Sequence, residues 1–243
     1  FADIKSATWN HLKFVISEKQ LKFYFNGEEK LWVPELLGRD PSGGLSLSGG
    51  GLYANLRVTP GATENLPAAA GADLTLHDAR FLRDWEVSEE QELPMNSFIT
   101  AAQLADSMKQ WRAVTAERGG LINLTREVSS PFANQDRRLV WLRTTIESTV
   151  EQTRRLSLGF SDDVWVFANK GFVYLDMNMY GQPINKQPNG RLSVENTTFD
   201  LTLKKGKNEI WIAVASNFFG WGIMARLDSV EGITSLKPQP LEE

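Results

Sequence analysis

Apolar and polar residues alternate with a period of two through most of this chain, and that limits its fold more than any other feature. Across 138–147, Val140, Leu142, Thr144 and Ile146 fall on one side, with Leu139, Trp141, Arg143 and Thr145 on the other. Phe199, Leu201 and Leu203 alternate with Asp200, Thr202 and Lys204, and Leu156, Leu158 and Phe160 continue the pattern. Side chains switch face at every residue of a strand, whereas a helix returns to the same face only every ~3.6 residues. These segments therefore read as strands. Residues 163–170 and 171–176 read as a hairpin around Asn169-Lys170-Gly171, and Lys205-Gly206-Lys207-Asn208 reads as a polar turn. Residues 210–215 are apolar on both faces, as expected of a central strand between packed layers. Trp165 and Phe167 lie opposite Val164 and Val166, so one face of that strand must meet something other than the main core. With 221–227 closing the series, about eight strands at roughly ten-residue intervals predict an all-β fold, an antiparallel β-sandwich or jelly roll. One short helix is expected at 100–110, where Ala101, Leu104, Ala105 and Met108 share a helical face.

The N-terminal part has the same period. Leu12, Phe14 and Ile16 alternate with Lys13, Val15 and Ser17, and Leu21, Phe23 and Phe25 alternate with Lys22, Tyr24 and Asn26. Asn26-Gly27 supplies a turn leading into 30–33, and glycine clusters bracket two further expected strands at 45–47 and 52–58. Five short strands cannot close a sandwich by themselves. Residues 59–79 carry Pro60, Gly61, Pro67, Ala68–Ala70 and Gly71, with no periodicity and no Lys or Arg, and read as a linker. The expected organisation is a partial sandwich segment at 1–58, a linker at 59–79, a jelly roll at 80–232 and a tail at 233–243. The chain opens at Phe1 with no Met and no signal-peptide pattern. A mature or trimmed product is expected, extracellular or periplasmic, with its signal peptide outside this chain.

Trp9-Asn-His-Leu-Lys-Phe-Val-Ile-Ser17, Leu21-Lys-Phe-Tyr-Phe-Asn-Gly27, Trp32-Val-Pro-Glu-Leu36 and Tyr53-Ala-Asn-Leu-Arg-Val58 are similar to the later strands of concanavalin A-like, laminin G-like sandwiches. That resemblance covers about 50 residues and implies a domain whose front half is absent here. Gly159-Phe-Ser-Asp-Asp-Val-Trp-Val-Phe-Ala-Asn-Lys-Gly171 and Leu203-Lys-Lys-Gly-Lys-Asn-Glu-Ile210 resemble the hairpin and following turn of galactose-binding-like domains. Ala168 and Lys170 depart from that pattern, because the Asn is followed by Lys-Gly and not directly by Gly. This second resemblance spans roughly 81–228 and implies a jelly roll of the kind that accompanies glycoside hydrolases. The two together look like a bacterial sugar-hydrolase-like protein. A shared fold does not by itself carry a shared function.

Composition narrows the chemistry. The 243 residues contain no cysteine, which removes disulfides, zinc-thiolate sites and thiol nucleophiles. The two histidines, His11 and His77, are far apart, so a histidine-rich metal site is not expected. The net charge of −4 with no basic block argues against nucleic acid. No apolar run reaches the ~18 residues of a membrane span. No Gly-x-Ser-x-Gly elbow is present. A glycosidase needs two carboxyl groups about 5–10 Å apart across a cleft. Sandwich glucanases set theirs out as Glu-x-Asp-x-x-Glu on one strand, a spacing absent here. Asp162 and Asp163 are adjacent and read as a strand-capping turn. A calcium site on them is conceivable, but the spacing does not support it, so no cofactor or metal ligand is assigned. Glu86, Glu89, Glu90 and Glu92 read as a solvated acidic loop. Asn123-Leu-Thr and Asn196-Thr-Thr are sequons that chance would also produce.

The aromatic residues carry more signal: eight Trp, thirteen Phe and four Tyr. Sugar C–H faces stack on exposed rings, while neighbouring polar groups fix the hydroxyls. The stretch 176–189 is polar, punctuated by Gly and Pro, and long for a hairpin connection, which favours function. The candidate ligand-binding residues are Trp165, Tyr174, Asn178, Tyr180, Asn185, Trp221 and Asp163, with Tyr180 and Trp221 as platforms. Core packing is the competing reading for each ring, and Trp211, Trp141 and Phe160 are assigned to the core outright. Phe218-Phe219-Gly220-Trp221 forms a second aromatic loop. The expected function is a non-catalytic carbohydrate-recognition or accessory module of a secreted bacterial polysaccharide-processing protein, with an oligo- or polysaccharide as partner. The alternatives are a glycoside hydrolase-like enzyme completed by a missing N-terminal half, or a structural protein-interaction domain.

Overall fold

The computed structural model describes residues 4–37, 44–47, 51–94, 97, 99, 110–128, 137–188, 190–217 and 220–238. The chain divides into two compact units, Phe1–Asp73 and Leu74–Glu243.

In the first unit, β1 (Leu12–Ile16), β2 (Leu21–Phe25) and β3 (Glu28–Val33) form an antiparallel sheet in that order. Asn26 and Gly27 take φ values of 51° and 87°, the left-handed pair that a two-residue hairpin turn requires. The strands expected at 45–47 and 52–58 do not form: the described residues there take no strand structure, and Leu52, Leu56 and Val58 are exposed. Alternation makes a segment fit for a strand, but a neighbouring strand must supply the ladder hydrogen bonds. The stretch expected as a linker is not free along its whole length. Lys13 pairs with Glu64 at 2.8 Å, Ser17 Oγ donates to the Pro67 carbonyl at 2.6 Å, and Gln20 Nε2 donates to that of Ala69 at 2.6 Å. These bonds lay 64–69 along the sheet, where Leu66, Val15 and Gln20 are buried. The opposite face leaves Leu12, Phe14 and Ile16 exposed.

The second unit contains β4 (Asp84–Ser88), β5 (Gln91–Leu93), β6 (Trp111–Thr115), β7 (Leu121–Asn123), α1 (Leu124–Glu127), β8 (Arg137–Ser148), β9 (Gln152–Ser161), β10 (Asp163–Ala168), β11 (Gly171–Met177), β12 (Thr197–Leu203), β13 (Gly206–Ser216), β14 (Gly222–Leu227) and β15 (Ile233–Leu236). They build two antiparallel sheets. One has eight strands, ordered β11-β10-β13-β8-β4-β6 with β5 and β15 also on β8, and the other is ordered β12-β9-β14-β7. Residues 233–236, expected as the start of a tail, add a strand to β8. The hairpin expected around Asn169 forms, with φ values of 50° at Asn169 and 68° at Lys170.

The sheets pack face to face as a β-sandwich. Val140, Leu142, Val164, Val166, Ile210 and Ile212 of the large sheet meet Leu156, Leu158, Phe160, Leu201, Ile223 and Leu227 of the small one. Each such side chain contributes roughly 1.5–3 kcal/mol over leaving it in water. The other face of the large sheet carries a second buried cluster: Leu93, Ile99, Leu139, Trp141, Trp165, Phe167, Ala213 and Ala215. The two-faced apolar pattern of 210–215 and the Trp165/Phe167 face have their cause in these two clusters. The helix expected at 100–110 and the pair Phe218-Phe219 lie outside the described residues, Gln110 excepted. No described helix is long and apolar enough to cross a membrane.

Candidate functional site

Residues 178–196 connect β11 of the large sheet to β12 of the small one. Two asparagines hold this connection. Asn178 is fully buried; its Nδ2 donates to the Phe160 carbonyl at 2.8 Å and its Oδ1 accepts from the Lys186 amide at 2.8 Å. Asn196 Oδ1 accepts from the amides of Ser193 and Phe160, at 2.9 and 3.3 Å, and its Nδ2 donates to the carbonyls of Gln187 and Arg191, at 2.7 and 3.0 Å. With its Nδ2 so engaged, the Asn196 sequon is closed in the folded chain. The backbone also approaches its neighbours closely. A Cβ at Gly159 would stand 2.4 Å from the Ser193 carbonyl oxygen, and one at Gly190, where φ is +71°, would stand 2.5 Å from Tyr180 Cα. The connection is thus fixed to β9 and to itself, and it presents Tyr180 at 48% exposure and Ile184 at 51%.

Beside it, on β11, the Tyr174 ring stacks on Phe199 with centroids 4.4 Å apart and planes 9° from parallel. The Tyr174 hydroxyl hydrogen-bonds to Asp176 and lies 2.7 Å from Thr197 Oγ1. Lys186 reaches the same Asp176 carboxylate. Burial and the hydrogen bond to Asp176 push the Tyr174 phenol up to about 12. For Asp176, burial alone would raise the carboxyl, but hydrogen bonds from Lys186, Tyr174 and the Met177 amide outweigh it and hold it below the ordinary value. The result is a fixed ionised carboxylate at the base of the connection.

The seven residues expected to contact ligand are not all gathered here. Tyr174, Asn178, Tyr180 and Asn185 share this region. Asn178 is buried with its amide turned to the backbone, so it holds the loop and does not meet a ligand. Trp165 is buried in the outer cluster and Trp221 in the main core, so neither ring is open as a platform. Asp163 is buried and pairs with Arg137 at 2.8 Å, while Asn217 Nδ2 donates to the same oxygen at 3.0 Å. Asp162 accepts from Ser161 Oγ and from the Asn217 amide. The adjacent aspartates bind β8, β10 and the end of β13 together. Sequence reading missed Asp176, Lys186 and Asn196. Their signal was the density of Asn and Pro in the connection, which does not say which amide turns inward.

A second feature lies on the outer face of the large sheet. Glu86, expected in a solvated loop, sits on β4 and accepts from Arg143 Nε at 2.6 Å, and Glu90 pairs with Arg138. The Arg143 guanidinium stands 4.2 Å from the Trp111 ring centre, and Trp111 meets Trp211 edge-on at 5.3 Å. Trp211, assigned to the core from sequence, is only partly buried on this outer face.

No protein-family model matches this chain, and no curated protein matches it. Among solved structures it is similar to a β-glucosidase from Kluyveromyces marxianus in complex with glucose, at 15% identity and a TM-score of 0.39, over 58% of this chain and 16% of the enzyme. It is similar to the PA14 domain of the antifreeze protein MpAFP, at 12% identity and a TM-score of 0.37, over 66% of this chain and 93% of that domain. It is also similar to a family 35 carbohydrate binding module from Clostridium thermocellum, at 11% identity and a TM-score of 0.29, over 45% and 88% respectively. The chain thus spans under a fifth of the length of the β-glucosidase it resembles. Similarity this distant carries no functional argument.

Proposed function

We propose that the second unit is a non-catalytic carbohydrate-recognition or accessory module of a polysaccharide-processing protein. The observation that carries this reading is the β11–β12 connection: a long loop fixed by the two buried amides of Asn178 and Asn196 and carrying a half-exposed Tyr180. Fixing the loop before binding removes part of the ordering cost that a ligand would otherwise meet. Tyr180 is the stacking platform for a sugar ring, and Asn185 and Lys186 are the hydroxyl partners. The ionised Asp176 holds Lys186 in place.

Calorimetric titration of the purified chain with a panel of mono- and oligosaccharides tests this. Binding that weakens at least tenfold in Tyr180→Ala, with an unchanged melting temperature, is the expected result. Absence of heat with every sugar at millimolar concentration overturns it. Release of reducing ends would replace the binding role with an enzymatic one.

A further inference from the structure

The first unit carries two features that its own sheet does not use. One is an apolar sheet face that stays half exposed, and the other is the segment 52–58, which alternates like a strand but takes no strand structure. Register places Phe14, Phe23 and Leu31 in one row across the sheet and Ile16, Leu21 and Val33 in the next. Phe14 and Phe23 stack with centroids 4.8 Å apart. The sheet also has an open edge, because among the described residues β1 pairs with β2 alone. Charges guard edge strands against pairing. The other edge strand, β3, carries Glu28, Glu29 and Lys30, whereas β1 carries only Lys13, which Glu64 already holds. In the segment Leu-Tyr-Ala-Asn-Leu-Arg-Val, Leu52, Ala54, Leu56 and Val58 fall on one side, with Tyr53, Asn55 and Arg57 on the other. Asn55 interrupts it with a φ of 57°, a left-handed conformation that asparagine enters and leaves more cheaply than most residues.

We propose that the first unit pairs with a second copy of this chain about a two-fold axis, each copy adding residues 52–58 as a fourth strand to β1 of the other, with the two apolar faces packed together. The sides match. Set beside β1, the segment extends the face of Leu12, Phe14 and Ile16 with its leucines and valine, and turns its polar side toward the face along which 64–69 lies. Self-complementarity favours a second copy over a foreign partner. Donor segment and acceptor edge belong to the same unit, so two copies complete each other and the assembly closes. A foreign chain has to bring both a strand for β1 and an edge for 52–58. Area decides for strand exchange over face packing alone. Three strands ~4.8 Å apart and ~17 Å long offer roughly 250 Å² of flat face. A stable interface takes about 800 Å² from each partner. Each exchanged strand, ~24 Å long when extended, adds ladder hydrogen bonds and further apolar surface. The proposal concerns the first unit and does not depend on the carbohydrate reading of the second. In dilute solution, where the copies separate, the apolar face is open to solvent.

Sedimentation velocity on the full chain, from submicromolar to hundreds of micromolar, tests this. A reversible shift from monomer to dimer, with no larger species, is the expected result. Phe14→Lys and Leu56→Lys should each weaken the dimer at least tenfold. Leu56 is 69% exposed, so its substitution leaves the single chain folded and the test survives if the Phe14 variant unfolds. The native chain has no cysteine, so introduced thiols report single contacts. Mixing the Ile16→Cys chain with the Leu56→Cys chain and a short bis-maleimide should give more covalent pairs than either variant alone. A chain that stays monomeric at every concentration overturns the proposal. A dimer weakened by Phe14→Lys but not by Leu56→Lys overturns the strand exchange, and a dimer insensitive to both overturns the assignment to this face.

Discussion

The first unit's three-stranded sheet and the second unit's eight-stranded sheet are built from the same kind of alternating strand, yet they are finished differently. In the first, one face is covered by residues 64–69 and the other leaves Leu12, Phe14, Ile16 and Leu31 between 43% and 55% exposed. In the second, one face packs on a complementary sheet and the other buries Trp141, Trp165 and Phe167. An apolar strand face is stabilising only when a second layer removes it from water. Composition along a strand does not supply that layer. The comparison also locates the rigid part of the molecule, because side chains in a closed sandwich have few alternatives to their packed positions.

Substitutions on the two sheets should therefore behave very differently. Phe160→Ala, in the closed core, should cost about 3–5 kcal/mol in chemical denaturation, since it leaves a cavity between packed sheets. A cost under ~1 kcal/mol would mean that the sandwich is not closed there. Asn178→Ala should cost about 1–3 kcal/mol, because it strips the Phe160 carbonyl and the Lys186 amide of their partner. Faster hydrogen exchange at the Lys186 amide is its specific signature, and unchanged exchange would remove Asn178 as the anchor of the loop.

Titration sharpens the same contrast within the second unit. Hydrogen bonds from the Arg80 side chain and backbone hold the Asp78 carboxyl down at about 2, against an ordinary value of 3.8. The folded value lies below the unfolded one, so this contribution is complete above about pH 4 and is lost as the pH falls toward 2. The acid limb of a stability–pH curve should be shallower in Asp78→Asn, and coincident curves would count against the pair. Tyr174 has the opposite sign. Its phenol is raised to about 12, so its contribution is present below about pH 10 and is lost as the pH climbs toward 12. Phenolate absorbance should develop later in the wild type than in Asp176→Asn, which removes a partner that holds the proton, and earlier than in Thr197→Val, which removes one that favours the phenolate. The smallest effect belongs to the open face of the first unit. Phe14→Ser should cost about 1 kcal/mol, because the ring is half exposed and keeps only its stack on Phe23 at 4.8 Å. It should also reduce binding of a hydrophobic dye, and a large loss of stability would show that this face is covered in solution.

Much of the second unit was legible before its structure was known. The two-faced apolar run 210–215 and the Trp165/Phe167 strand called for two apolar layers, and both clusters exist. Asn169-Lys170 called for a left-handed turn, and its φ values supply one. Legibility failed where a residue's role depends on a partner distant in sequence. Leu52 and Val58 have strand alternation, yet no described strand pairs with them. Asp163 has the chemistry of a ligand contact but faces Arg137, 26 residues earlier. Glu86 belongs to an acidic run, yet it meets Arg143 across 57 residues. Trp221 and Trp165 are as aromatic as Tyr180, but only Tyr180 stands on a loop that turns outward.

The sequence by itself determined that this chain is all-β, where most of its strands lie, and that the central strands need apolar cover on both faces. Those properties follow from local periodicity and turn chemistry, which act between residues a few positions apart. The tertiary structure decided which rings are sheltered, which carboxylates are matched by arginine, and that Leu12, Phe14 and Ile16 on one face of the first sheet stay about half exposed. Each of these depends on what a strand meets across a sheet or between layers. Register and packing set those encounters over tens of residues, and no local pattern encodes them.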